Sequence, residues 1–152
     1  MNKFDLYRLV VIGLATPIVM YKDFRYKDIP NWIPVSIFLA GLLLSLLQGW
    51  REVANAMVSA LLGFGILLIL YLVNYLGGGD VKLMGAFGAL LGGWHLAFEA
   101  LIYTLLAGGV FALFYLLPGM IKGTFSRSSE MPFGPAICIG VLMELLIKVQ
   151  SS

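Results

Sequence analysis

Charge is scarce in this chain, and the scarcity limits what kind of protein it can be. Of its 152 residues, 12% are charged and 61% are hydrophobic, and the mean hydropathy is +0.95. A soluble domain usually carries roughly twice that share of charge. The composition therefore predicts an integral membrane protein. The net charge of +2 gives no reason to expect a nucleic-acid partner.

Cysteine and histidine are nearly absent as well. The single cysteine, Cys138, excludes an intrachain disulfide and a cysteine-based zinc cluster, and its apolar surroundings predict a small buried side chain. The single histidine, His95, is predicted to lie near the membrane face opposite the acids of interest. No phosphate-binding loop or serine–histidine pair is visible. We therefore expect neither a metal nor another cofactor.

Long apolar runs dominate what is present. Because a helix needs about 20 mostly apolar residues to cross a bilayer, the runs predict an all-α fold of about six transmembrane helices in one domain over residues 1–152. Their predicted bounds are Leu6–Tyr21, Trp32–Gly49, Val53–Leu76, Val81–Trp94, Leu96–Leu117 and Pro132–Ile147. Three tryptophans fall near predicted ends, as interfacial aromatic residues often do: Trp32, Trp50 and Trp94. Small residues inside the runs predict close helix packing.

The positions of Lys and Arg predict the orientation in the membrane. Three connections, at residues 22–31, 77–82 and 118–131, share one side and hold six Lys and Arg residues, against four on the other side. Short loops rich in Lys and Arg remain cytoplasmic. We therefore expect the connections in the cytoplasm, both chain ends outside and the protein in the inner membrane. The Gly- and Ser-rich connection 118–131 is predicted to be mobile and to gate access.

An acid follows the glycine run Gly77-Gly78-Gly79, at the edge of a predicted span. A carboxylate at such a position is costly, so Asp80 is a candidate functional group. The glycines break the preceding helix and free the backbone to turn. An alternative remains open, because an Asp at a helix N-cap satisfies a backbone amide without any catalytic role. Lys82 is expected to extend toward the headgroups.

A second acid, Asp23, lies in the densest charge cluster of the chain, residues 21–31. An even number of predicted spans separates Asp23 from Asp80, so both reach the same face. If the carboxyls meet, they should share one proton, and the ionised member can activate water against a peptide carbonyl. Alternatively, Asp23 and Asp28 are charges of a solvated loop. Asn31 is expected to cap the second helix, and Glu99 and Glu144 are expected at the opposite boundary.

Three segments together resemble the type IV prepilin peptidase family of GxGD aspartyl proteases. They are Asp23-Phe24-Arg25-Tyr26-Lys27-Asp28-Ile29-Pro30-Asn31, Gly77-Gly78-Gly79-Asp80-Val81-Lys82-Leu83-Met84 and Met131-Pro132-Phe133-Gly134-Pro135-Ala136. The resemblance implies a catalytic pair, Asp23 and Asp80. It also implies substrate-binding or site-shaping roles for Gly77, Gly78, Gly79, Lys82, Pro132, Phe133, Gly134 and Pro135.

The same resemblance implies removal of a short basic leader from prepilin- or pseudopilin-like proteins at the cytoplasmic face. The chain lacks the cysteine-rich insert of longer members, which puts N-methyltransferase activity in doubt, and its size resembles enzymes of Tad/Flp-type pili or a peptidase-only variant. A related protease acting on preflagellin-like proteins is a second possibility. The main rival is a small non-enzymatic transporter or assembly factor that uses the acids for ion coupling. Transporters usually place such acids near mid-membrane, whereas these lie at a boundary.

Overall fold

The computed structural model describes residues 3–26, 29–73, 76–121 and 133–151, and within these ranges the chain folds into six helices without a strand. The helices are α1 (Lys3–Tyr26), α2 (Trp32–Gln48), α3 (Trp50–Leu72), α4 (Gly78–Leu91), α5 (Trp94–Ile121) and α6 (Gly134–Ser151). The predicted all-helical fold and the order of its helices are confirmed. Trp32, Trp50 and Trp94 are the first residues of α2, α3 and α5.

Among the described residues, length and hydropathy single out three helical segments as able to cross a membrane. They are Lys3–Tyr26, Trp50–Leu72 and Trp94–Phe114. Helix α2 is apolar but has 17 residues, and α4 has 14. An all-helical chain with three such segments is consistent with a membrane protein.

The helices alternate in direction, which divides the bundle into two ends. Contacts between α1 and α6 define them: Asp5 contacts Lys148 at one end, and Asp23 contacts Gly134 at the other. We call these the Asp5 end and the Asp23 end. Helices of alternating direction with short connections are the usual arrangement of a helix bundle. Acids near the start of α4 and the end of α1 therefore lie at the same end.

Helix α4 occupies the centre of the bundle, packed against α2, α3, α5 and α6. From Asp80 to Leu91, only Lys82 is exposed. A helix that is apolar almost all round is expected in a core position, because it has no polar face to present outward. Its central position gives Asp80 a rigid support.

Glycines allow the neighbours of α4 to approach it closely. A Cβ at Gly41 of α2 would lie 2.6 Å from the backbone nitrogen of Leu90, and one at Gly63 of α3 would lie 2.9 Å from the carbonyl oxygen of Met84. Such spacing is available only to small residues. The predicted close packing is confirmed at Gly63, whereas a Cβ at Gly65 would meet no atom within 4 Å, so this glycine serves no close contact.

Several local predictions require correction. Asn31 precedes α2 in a helical conformation and makes no side-chain cap; its amide oxygen instead accepts a hydrogen bond from Lys82. Helix α5 continues through Pro118 to Ile121. The predicted mobile connection therefore begins later, and residues 122–131 lie outside the described part of the chain. Cys138 is fully buried, as predicted.

Candidate active site

Asp80 lies in the first turn of α4 as its third residue, not at its start as predicted. The helix begins earlier because Gly77 takes an extended conformation and its carbonyl already accepts the backbone N–H of Asp80, at 3.2 Å. The Asp80 carboxyl reaches back to the N–H of Gly77, a contact like half of a capping box. Its Oδ1 atom is buried and has no hydrogen-bond partner among the described residues. Helix capping therefore uses only one of the two oxygens of this carboxyl.

Asp23 lies in the last turn of α1, and the prediction that it is a solvated loop charge is wrong. Helix α1 continues to Tyr26, which turns Asp23 toward the bundle, where it is 5% exposed. Its Oδ2 accepts a hydrogen bond of 2.8 Å from the backbone N–H of Gly134. Gly134 begins α6, so this N–H is one of the amides that a helix leaves without an internal partner. The alternative role for Asp28 concerns a residue outside the described part of the chain.

The two acids are neighbours. Asp23 and Asp80 are 5% and 6% exposed, and the charge of Asp23 acts on the carboxyl of Asp80. No Lys or Arg forms an ion pair with either one within the described residues, where the ion pairs all involve Asp5. The same residues contain no group of three or more His, Cys, Asp or Glu side chains able to hold a metal. Two buried carboxyls therefore interact at this end of the bundle without a described cation beside them.

The three glycines before Asp80 have different neighbours, and only Gly77 lies beside the acid. A Cβ at Gly77 would lie 3.4 Å from Oδ2 of Asp80, and one at Gly79 would lie 3.1 Å from Cβ of Ile29. Gly78 faces the ring of Tyr71. Gly77 leaves room beside the carboxyl, and Gly79 allows the start of α4 to pack closely on Ile29, in the connection before α2.

The start of α6 closes the other side of the pair. Phe133, Gly134 and Pro135 are buried, and the Phe133 ring packs directly on Gly108 of α5. A Cβ at Gly134 would lie 2.7 Å from Oδ2 of Asp23, so a larger residue here would displace the Asp23 carboxyl. Pro132, which was predicted to line the same site, lies outside the described residues.

Lys82 lies away from the two acids. Two residues along an α-helix change direction by about 200°, so Lys82 extends from the opposite side of α4 and is exposed. Its ammonium group donates a hydrogen bond of 2.9 Å to Oδ1 of Asn31. The geometry does not bring Lys82 into contact with Asp23 or Asp80.

Sequence reasoning missed a polar cluster at the Asp5 end. Asp5 accepts hydrogen bonds from Lys148 at 2.9 Å and from Arg8 at 3.5 Å. Glu144, expected at a membrane boundary, is 2% exposed and interacts with Glu99 and Lys148. The spacing of Asp5 and Arg8 was an available signal, since residues three apart meet on a helix. Glu144 shares the inner face of α6 with the buried residues Ile137, Val141 and Leu145, which was the other signal.

A family comparison bears on this geometry. The model of the type IV leader peptidase family matches residues 10–117, a range that contains Asp23 and the glycine run with Asp80. Comparisons with curated proteins and with solved structures gave no match. The matched range covers more than half of the chain, and the resemblance inferred from three sequence motifs is confirmed. This chain belongs to the type IV leader peptidase family.

Proposed function

We propose that this peptidase is an aspartyl endopeptidase that removes the short basic leader of prepilin- or pseudopilin-like proteins. Asp23 and Asp80 form its catalytic pair. The observation that carries the proposal is the approach of these two buried carboxyls, from α1 and α4, without a described cation beside them. Isolated charges are rarely buried in this way, because desolvation is costly, unless the site uses them.

The pair supplies acid and base at once. Like charges at close range do not both ionise easily, so the two carboxyls hold one proton between them. The ionised member removes a proton from a water molecule as its oxygen attacks the peptide carbonyl carbon. The protonated member gives its proton to the carbonyl oxygen. When the carbon–nitrogen bond then breaks, the carboxyl that took the proton from water gives it to the leaving nitrogen, and the other carboxyl takes a proton from a hydroxyl of the tetrahedral intermediate, so the pair again holds one proton.

The surroundings of the pair suit this chemistry. The Gly134 amide fixes one oxygen of Asp23, which holds the carboxyl in a defined orientation. The unpartnered Oδ1 of Asp80 remains available to a substrate or to water. Gly77, without a side chain, leaves space beside Asp80 for an extended peptide. Phe133 and Pro135, the buried neighbours of Gly134 in the sequence, make the surroundings of this amide apolar.

We further propose that all six helices cross the inner membrane and that residues 1–152 form a single transmembrane peptidase domain. The Asp23 end then faces the cytoplasm, where the bias of Lys and Arg favours it. A hydrophobic substrate helix rests in the bilayer beside the bundle, and its leader meets the acids at the boundary, where water has access. Pilus biogenesis and protein secretion are the processes that such cleavage serves.

The test is cleavage of a co-expressed prepilin-like substrate by the wild type and by Asp23→Asn and Asp80→Asn. Each substitution keeps the size of the side chain and removes its acid–base chemistry. We expect each to lower the cleavage rate about 100-fold or more, with normal amounts of protein in the membrane. Mass spectrometry of the processed substrate identifies the bond that is cut.

A matched control separates catalysis from folding. Glu52→Gln removes an acid in the first turn of α3, at the Asp5 end, and should leave cleavage unchanged. Full processing by either Asn variant would remove that acid from the catalytic pair. Ion transport that is lost in both variants, with no peptide cleaved by the wild type, would instead support the transporter alternative.

A further inference from the structure

A groove opens on the outer surface of the bundle, on the side of α4 that faces away from Asp80. It has a volume of about 410 Å³ and is formed by α2, α3 and α4. Its walls are almost entirely apolar, with Val35 and Phe38 on one side and Leu61 and Phe64 on the other. The volume falls within the range of roughly 300–1,000 Å³ that is usual for ligand sites.

The polar groups of this groove are confined to its mouth. Asn31 and Lys82 are its polar lining residues, both belong to the Asp23 end, and no described acidic residue lines it. Lys82 donates one hydrogen bond to Asn31. An ammonium group has three donors and an amide has two, so both side chains retain N–H groups for another acceptor. The mouth therefore suits an anion, and the walls suit a hydrocarbon chain.

The mouth lies at the level where lipid headgroups are expected. Trp32 follows Asn31 directly, begins α2 and is 57% exposed. Tryptophan at the end of a membrane helix typically lies among the headgroups. From this level the groove extends along α2 as far as Phe38, toward the interior of the bilayer.

We propose that this groove binds one anionic phospholipid, with its phosphate at Lys82 and Asn31 and an acyl chain along Val35, Phe38 and Phe64. Basic pockets between membrane helices recognise anionic headgroups in this way, and the apolar walls gain free energy by covering the chain. The site is separate from the catalytic pair and holds whether or not the acids cleave peptides.

The position of the groove favours a lipid over the hydrophobic helix of a substrate. Lys82 and Asp80 point in nearly opposite directions from α4, and Asp80 is 6% exposed whereas Lys82 is exposed. A helix lying in the groove would have α4 between it and the two acids. A lipid needs no access to the acids.

The test is native mass spectrometry of the full chain, purified in detergent and incubated with phosphatidylglycerol or phosphatidylcholine of identical acyl chains. We expect one phosphatidylglycerol per chain, retained in preference to phosphatidylcholine. Lys82→Gln should weaken phosphatidylglycerol binding about fivefold, equivalent to roughly 1 kcal/mol, and leave phosphatidylcholine binding unchanged. Arg51→Gln, at the opposite end of the bundle, is the matched control and should change neither.

A second pair of variants tests the walls. Val35→Trp adds bulk inside the groove and should reduce binding of both lipids, whereas Leu39→Trp adds a ring to the same helix outside the groove and should not. Equal binding of the two lipids by the wild type would overturn the proposal, as would unchanged binding in Val35→Trp. Release of the lipid by a prepilin-like substrate, together with loss of substrate binding in Val35→Trp, would assign the groove to the substrate instead.

Discussion

Both ends of the bundle bury aspartates to the same degree, but the neighbours of the carboxyl groups differ between the two ends. Asp5, Asp23 and Asp80 are 5%, 5% and 6% exposed. Asp5 has two cations, Arg8 and Lys148, whereas Asp23 and Asp80 have each other and backbone amides. A buried acid paired with cations is neutralised and joins helices together. A buried acid beside another acid has no cation to neutralise it. It keeps its acid–base chemistry, which a peptidase can use.

The largest expected effect on folding lies at the Asp5 end. Asp5→Asn leaves the buried Arg8 without its partner, and breaking a buried ion pair in this way costs about 3 kcal/mol. We expect a corresponding loss in the free energy of unfolding, measured by denaturant titration in detergent. The protein that remains folded should still cleave substrate.

A second substitution checks the cause of that loss. Arg8→Met in the Asp5→Asn background removes the buried charge that the first change left unpaired, so part of the stability should return. If the double variant is less stable than Asp5→Asn, the unpaired charge of Arg8 is not the cause of the loss.

At the Asp23 end, the largest expected effect is on rate. Gly134→Ala introduces a Cβ that would lie 2.7 Å from Oδ2 of Asp23, so the carboxyl must move. A small displacement of a catalytic group lowers rates by roughly 10- to 100-fold. The cleavage rate of purified enzyme should fall accordingly. Gly109→Ala, in α5, has no neighbour within 4 Å and should retain the wild-type rate.

A substitution that disturbs the packing around α4 should lower the stability of the protein. At Gly88, an added Cβ would collide with the backbone carbonyl of Ser59 in α3. Overpacking of this kind costs about 1–3 kcal/mol, so Gly88→Ala should lower the midpoint of thermal unfolding. Gly65→Ala on α3 meets no neighbour within 4 Å and should leave the midpoint unchanged or raise it, because alanine favours a helix.

The smallest expected effect distinguishes the two ends most clearly. Asp80→Asn removes one of the two neighbouring buried carboxyls and leaves no buried cation unpaired among the described residues. The free energy of unfolding should therefore stay within about 1 kcal/mol of the wild type or increase, although cleavage is lost. A loss as large as that of Asp5→Asn would mean that Asp80 is mainly structural.

The sequence was sufficient for the features that depend on local pattern. Apolar runs predicted six helices in order, and the count of runs between Asp23 and Asp80 predicted that both acids reach one end. Contacts between distant segments could not be predicted. The hydrogen bond from Lys148 to Asp5 joins residues 143 apart, and that from Lys82 to Asn31 joins residues 51 apart. Each depends on which helix faces meet, and a single sequence does not specify this.

The hydrogen bond between Gly134 and Asp23 also bears on how the protein is made. Its two residues are 111 positions apart, and Gly134 begins α6, the last helix of the described bundle. A growing chain therefore carries both acids long before the amide that orients Asp23 has been synthesised. The orientation that this amide gives to the Asp23 carboxyl can therefore form only after translation has passed residue 134.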